Sequence, residues 1–530
     1  MKLFFCILLL LAGSVVYGQD ADIVRAAMML SGASGEEELD PSFVEMLEAF
    51  RGRAVNINGD RLSPSAILSP YQVAVIRDYR SRYGDILSWE ELSLLEGFSK
   101  DLVDALKPFL SLYSSRMPGA ADTVRTKAQA FARSTLTSAG GKAKLTGRMW
   151  RAGGAVRCSD NFSKWDGTFF GEASWHGHRI LAGDYRLRFA EGLNLWTGFS
   201  MESLSSVDAF AKRSQGISPA WSFSSSGIQR GLAWEYSSTH WKGCAFASFD
   251  KTIGGRAEYL GRRFQAGLTA GILPLSLSAD AKLNLRGTII SAEGAFRNKS
   301  FAAKAVLVSP LGEYWRLALQ GRVIPSRYSG KKYGEYAFAA GTDYRGRRLR
   351  ASLTADASFL PIPQKDPGRF QLRVYGQLKW TPSSAWSAEA RITERYRNYE
   401  RPRTAVRLQA WYSSGPWNAN IRGEWVKCQE HGILGYVEGG YKNSAFQIWG
   451  RLTLFHAPKW DDRIYVYERD APGSFLVPAY YGKGGSISVV GNWKHRFRFI
   501  TLKAYARGAY TFKDGHVPAP VLNIQLAVEY

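Results

Sequence analysis

Histidine is the usual carrier of acid–base and metal chemistry, and the chain holds seven: His176, His178, His240, His431, His456, His495 and His516. None stands in an HExxH pattern or beside carboxylates at ligand spacing. His176-Gly177-His178 reads most simply as a hairpin turn between strands ending near Trp175 and starting near Arg179. No GxSxG elbow, phosphate loop or dinucleotide fingerprint occurs in a strand-to-helix context. The expectation is a protein with no catalytic site, no metal site and no cofactor. What the chain does offer is positive charge, with 69 Lys and Arg against 46 Asp and Glu, a net +23. Such a balance suits polyanions or a basic channel partly neutralised by Glu. Arg373, Arg391, Arg407, Arg422, Arg451 and Arg507 all occupy polar positions in runs where polar and apolar residues alternate. Fewer acids, among them Glu389, Glu424 and Glu529, share that face. Facing a water-filled lumen, the arginines favour anions; facing acids and loop carbonyls, they hold a plug in place.

The elements that position these arginines are strands. Phe370, Leu372, Val374, Leu378 and Trp380 alternate with Gln371, Arg373, Gln377 and Lys379, and Trp386 to Thr393, Val406 to Tyr412 and Ala419 to Trp425 repeat the pattern. Turn dipeptides such as Pro382-Ser383, Gly415-Pro416 and Asn443-Ser444 separate them, which is the signature of an antiparallel meander. The final stretch, Val521 to Tyr530, places Leu522, Ile524, Leu526, Val528 and Tyr530 on one face. Aromatics make up 13% of the chain, with 17 Trp. That combination predicts a transmembrane β-barrel of about 16–20 strands over residues 124–530, with the apolar face toward lipid. Two stretches are too long for turns, Glu202 to Gly227 and Arg463 to Gly485, and they read as functional or folded-in loops.

Residues 20–117 differ in kind. Asp40-Pro41 opens a helix carrying Phe43, Met46, Leu47 and Phe50, and Ser63-Pro64 marks a further start. Ser69-Pro70-Tyr71-Gln72 and Ser88-Trp89-Glu90-Glu91 are capping boxes, Gly84 stops a helix, and Pro108 closes another. Between residues 56 and 110, Asp78-Tyr79-Arg80, Tyr83-Gly84, Ser88 to Leu92 and Leu95-Glu96-Gly97-Phe98 resemble the paired helix-hairpin-helix units of competence-type DNA-binding proteins. The resemblance implies phosphate contacts by hairpin amides and nearby cations, which here are Ser69, Arg77, Arg80, Gly97, Ser99 and Lys100. The first hairpin, Ile67-Leu68-Ser69-Pro70, lacks the family's glycine, and Ser99 stands where a second glycine belongs. The module is then either a DNA binder or a periplasmic plug or protein-docking unit.

The N-terminus, Lys2 followed by the apolar run Leu3 to Ala12 and then Val16-Tyr17-Gly18, reads as a secretory signal over residues 1–18. Residues 118–123, with Pro118-Gly119, read as a linker. Cys158, Cys244 and Cys428 allow one disulfide or three free thiols. The terminal aromatic resembles the signal read by outer-membrane insertion machinery. Gly183-Asp184-Tyr185 and Gly192 to Trp196, with the long loops, resemble Gram-negative outer-membrane proteins that join a helix-hairpin-helix module to a barrel. The implied partners are outer-membrane lipid, the insertion machinery, and either DNA or a periplasmic protein. The functions in view are DNA uptake, anion transport past a helical plug, and an assembly or secretion accessory.

Overall fold

A computed structural model describes residues 20–530 except 52–53, 60–61, 63, 114–126, 148, 198–203, 273–274, 362–367, 444, 472–474 and 498–499. The expected signal segment and the linker at 118–123 lie outside the described residues. From Lys127 onward the chain forms a closed barrel of 24 antiparallel strands, with one extra four-residue segment, Gly216–Pro219, paired with the end of the strand His178–Arg188. The strand number exceeds 16–20 because the repeat is shorter than anticipated. Strands run from 8 residues (Ala139–Thr146) to 15 (Glu400–Ser414). Turns as short as His176-Gly177 and Gly415-Pro416 join them. Ring closure falls to the terminal strand, His516–Glu529, whose Leu526 and Val528 stand opposite Ala132 and Ala130 of the first strand. Ala128 and Tyr530 exchange both backbone hydrogen bonds, 3.1 and 2.9 Å. No edge is left to aggregate.

Alternation sorts the two faces. Along Phe446–Ala457, Ile448, Leu452 and Leu454 point outward while Arg451, Thr453, Phe455 and Ala457 are buried inward. At mid-strand Leu408, Ile421 and Leu526 are 61%, 55% and 57% exposed, an arrangement that lipid satisfies and water does not. Trp241, Trp315, Trp386 and Trp417 stand in register with Tyr259, Tyr344, Tyr412 and Tyr441 and build an aromatic girdle at one end. That end carries only short turns. The opposite end carries the long loops 189–228, 325–334 and 458–481. The chain is an outer-membrane-type β-barrel. His178 belongs to the girdle, stacked between Trp175 and Trp234, and Cys158, Cys244 and Cys428 are free thiols.

Among the described residues the helical domain has five α-helices: α1 (Asp20–Ser31), α2 (Pro41–Arg51), α3 (Pro70–Tyr83), α4 (Trp89–Leu94) and α5 (Lys100–Leu106). Both anticipated capping boxes form, Ser69 with Gln72 and Ser88 with Glu91, and Gly84 ends α3 at φ 93°. Leu47, Ile57, Ile67, Leu68, Ile76, Ile86, Leu92 and Leu106 are fully buried in one core. Each contributes about 1.5–3 kcal/mol of burial. Buried Asn58 ties the segment after residues 55–56 to the start of α4, donating to Ile86 O (2.8 Å) and accepting from Ile86 N (3.0 Å).

Candidate functional site

The site is the inside of the barrel. Its walls present the polar residues of each strand, and its contents come from three parts of the chain. The segment from the end of α1 into α2 touches wall strands on widely separated arcs of the ring. Glu37 Oε1 accepts from Arg391 Nη1 (2.7 Å) and from Arg407. Asp40 meets Arg188 (2.8 Å), and Glu45 meets Lys142 (3.0 Å). Ser34 O accepts from Arg391 Nη2 (2.6 Å). A short segment that reaches both arcs lies within the lumen.

Both long loops fold inward to meet it. In loop 189–228, Asp208 pairs with Arg316 (2.8 Å) and Arg345, Glu191 with Lys304 (3.3 Å), and Phe210 O accepts from Gln320 (2.9 Å). Glu293 on the wall accepts the amide N–H groups of Glu191, Leu193 and Asn194. In loop 458–481, Tyr465 O accepts from Arg422 and Tyr467 O from Arg451, at 3.1 and 2.7 Å. Glu468 takes hydrogen bonds from Arg507 and the Tyr480 hydroxyl, and Asp470 one from Asn523 (2.6 Å). The loops also grip the helical domain. Tyr467 and Phe475 pack on its core, Ser34 donates its N–H to Ser205 Oγ and its hydroxyl to Ser205 O, and Arg213 donates to Ile67 O and Gln72 Oε1 at 3.1 and 3.0 Å. At Gly32, φ +71°, a Cβ would lie 2.3 Å from Ala209 N, so the loop backbone can approach only a glycine there.

Electrostatics concentrate on the acidic run Glu36-Glu37-Glu38. Burial alone would raise the Glu37 carboxyl, but the Arg407 and Arg391 guanidiniums outweigh it and hold the carboxyl far below the usual range. Burial raises Glu36 and Glu38, and the charge of Glu37 adds to it. Beside the docked segment lies a crevice of about 1170 Å³ lined in part by Asp40, Arg188, Trp196, Lys212, Arg213 and Lys304.

Of the lumen arginines expected from alternation, Arg391, Arg407, Arg422, Arg451 and Arg507 are all buried inward, bonded to acids, loop carbonyls or both. Arg373 stands between Asp356 and Arg395 on the neighbouring strands. The residues carried over from the helix-hairpin-helix resemblance divide differently. Ser69 caps α3, beside a buried first hairpin that faces Arg213. Arg77 donates to Leu62 O (2.5 Å) and to Thr239 O (3.0 Å) in a barrel turn, and Arg80 to Gly59 O (3.1 Å) and Asp85. Gly97, Ser99 and Lys100 are exposed at the second hairpin, where Ser99 caps α5. Sequence reading missed the acids that complete the plug: Glu37, Asp40, Glu45, Glu191, Asp208 and Glu468. The one available signal was Glu36-Glu37-Glu38, three consecutive acids in a chain with a large excess of base. Among the described residues no cluster of His, Cys, Asp and Glu is disposed to hold a metal.

The fold and its filled lumen define a plugged outer-membrane β-barrel. No family model and no curated protein matches the sequence. Among solved structures the chain is similar to the translocation pore of the P pilus usher PapC, at 8% identity over 76% of this chain and 98% of that one, with a TM-score of 0.36. It is also similar to the FrpB iron transporter of Neisseria meningitidis (8%, 77% and 81%, TM-score 0.40) and to the copper transporter OprC (10%, 77% and 80%, TM-score 0.40). These likenesses are of fold alone.

Proposed function

We propose that this protein is a gated outer-membrane transporter whose helical domain enters the lumen from the periplasm and must shift for solute to pass. The observation that carries this reading is the bridge from Glu37 to Arg391 and Arg407, a buried contact between the helical domain and mid-strand wall residues. The orientation rests on the loops, since barrels of this class keep short turns in the periplasm and long loops outside. The excess of wall arginines over wall acids favours anionic solutes once the plug moves. Tyr83, Leu87, Leu94 and Tyr113 on the helical domain are 72–86% exposed, and they offer a periplasmic protein the surface through which to move it. DNA handling is less well supported, because Arg77 and Arg80 are already bonded within the protein. The test is single-channel recording in planar bilayers. The full chain should be closed or rarely open, and a barrel lacking residues 20–113 should conduct with anion preference. A full chain as conductive as the truncated one defeats the proposal.

A further inference from the structure

The mouth at the long-loop end holds a cluster of cations with few acids among them, and one of its links to the inward loop is the bond that Arg403 Nη2 donates to Arg463 O (2.7 Å). Arg395 and Arg403 are direct cross-strand partners, and Arg373 stands opposite Arg395 on its other side. Like charges placed directly opposite destabilise a strand pair. Arg397 lies within electrostatic reach of Arg395, and Arg463, from the inward loop, within reach of Arg403. The acids beside them are few. Glu400 bonds Arg397 (2.7 Å) and lies 3.8 Å from Arg395, while Asp461 lies 3.8 Å from Arg463. Glu424, the next acid along the wall, lies within electrostatic reach of Arg403 but is bonded to Arg407 and Arg422. The Nε–H groups of Arg395, Arg397 and Arg403 are buried without a hydrogen-bond partner in the protein.

Two features hold these guanidiniums in place. A register shift between Arg395 and Arg397, on a hairpin containing Pro402, brings Glu400 opposite Arg397 rather than deeper in the ladder. Aromatic faces fix the rest: Arg463 lies over Trp460 at 4.5 Å, and Tyr399 carries Arg369 at 4.3 Å and Arg397 at 5.9 Å. Those ring faces are therefore covered by guanidiniums and do not form a platform for stacking nucleobases. What the mouth offers is oxyanion recognition, with fork-shaped donors on strands about 4.8 Å apart.

We propose that Arg395, Arg397, Arg403 and Arg463 form a binding site for a compact polyanion, one carrying two or more phosphate or carboxylate groups a few ångströms apart. The site does not depend on the barrel opening, so it stands or falls separately from the gating mechanism.

The test is calorimetric titration of the full chain in detergent micelles with inorganic triphosphate and, as a second arm, citrate. Binding of triphosphate alone assigns phosphate ligands, and binding of citrate alone or of both assigns carboxylate as well; either outcome supports the site. Arg403→Gln and Arg395→Gln should each weaken binding about 10- to 100-fold; Arg395→Gln should leave thermal stability equal or higher, because a cross-strand repulsion is removed, whereas Arg403→Gln also gives up its bond to Arg463 O. A merely structural role predicts the reverse, lower stability with binding unchanged. Arg403→Lys keeps the charge but loses the fork, so it should fold and still bind less tightly. Arg350→Gln, whose guanidinium meets Asp101 at the other end, should bind as the parent does. Absence of binding at millimolar triphosphate and citrate, equal loss in Arg350→Gln, or equally tight binding of duplex DNA overturns the proposal.

Discussion

Neutralising Glu37 tests the plug at its most concentrated contact. Glu37→Gln keeps the size of the side chain and removes the charge that faces Arg391 and Arg407. Those side chains are only 6% and 9% exposed, and Glu37 itself 14%. Removing one partner of a buried ion pair costs about 3–5 kcal/mol, because a charge is left without its counter-ion. Here the lower end applies, since Arg391 retains Glu389 (3.0 Å) and Arg407 retains Glu424 (2.8 Å). A loss of about 3 kcal/mol is a shift of roughly 100-fold in the balance between docked and displaced helical domain. In planar bilayers the variant should open far more often than the parent. In micelles, protease should reach the segment around residues 32–45 at a correspondingly higher rate. Glu424→Gln is the control, because it weakens the same arginine network without touching the helical domain. If Glu37→Gln matches the parent in both conductance and proteolysis, or if Glu424→Gln opens the barrel equally, the plug is not held as described.

Further outcomes follow from the same contacts. Docking should tighten on mild acidification: the docked carboxyls of Glu36 and Glu38 titrate above their free value, so their penalty grows as pH rises through the raised values and vanishes below about 4.3. Glu37 works in the opposite sense, since its depressed docked value makes its contribution present above about 4.3 and lost as pH falls below that. Proteolysis of the full chain should therefore slow from pH 7 toward 5 and accelerate in stronger acid, and the double variant Glu36→Gln/Glu38→Gln should abolish the first limb. A separate check concerns Gly183, where the strand leaves the wall. Its φ is +107° and a Cβ would lie 2.3 Å from Phe169 O, so Gly183→Ala should lower stability by about 1–3 kcal/mol or more in urea unfolding. An unchanged midpoint would mean that the departure from the wall does not need glycine.

Much of the architecture was legible in the chain because strand alternation and helix caps are local. The outward Leu408, Ile421 and Leu526, the inward Arg391, Arg407 and Arg422, and the capping boxes at Ser69 and Ser88 all follow from neighbours a few residues away. The free state of Cys158, Cys244 and Cys428 did not follow, since pairing depends on where distant strands sit. Strand number was misjudged because it depends on the average repeat, and turns as tight as His176-Gly177 leave little composition signal. Arg77 and Arg80 look available to a phosphate on the helix alone, yet each is satisfied by carbonyls from Leu62, Thr239 and Gly59.

Sequence by itself determined that this chain has an apolar-outside barrel, a capped helical domain and a basic lumen face, because each of those is written in side-chain periodicity. Only the tertiary structure decided what the lumen contains. Glu37 reaches Arg391 and Arg407 across more than 350 residues of chain, and Asp208 reaches Arg316 and Arg345 across more than 100. No periodicity encodes such pairs. They arise when ring closure places arginines from separate strands around one space and burial of their charges requires an acid from elsewhere in the chain.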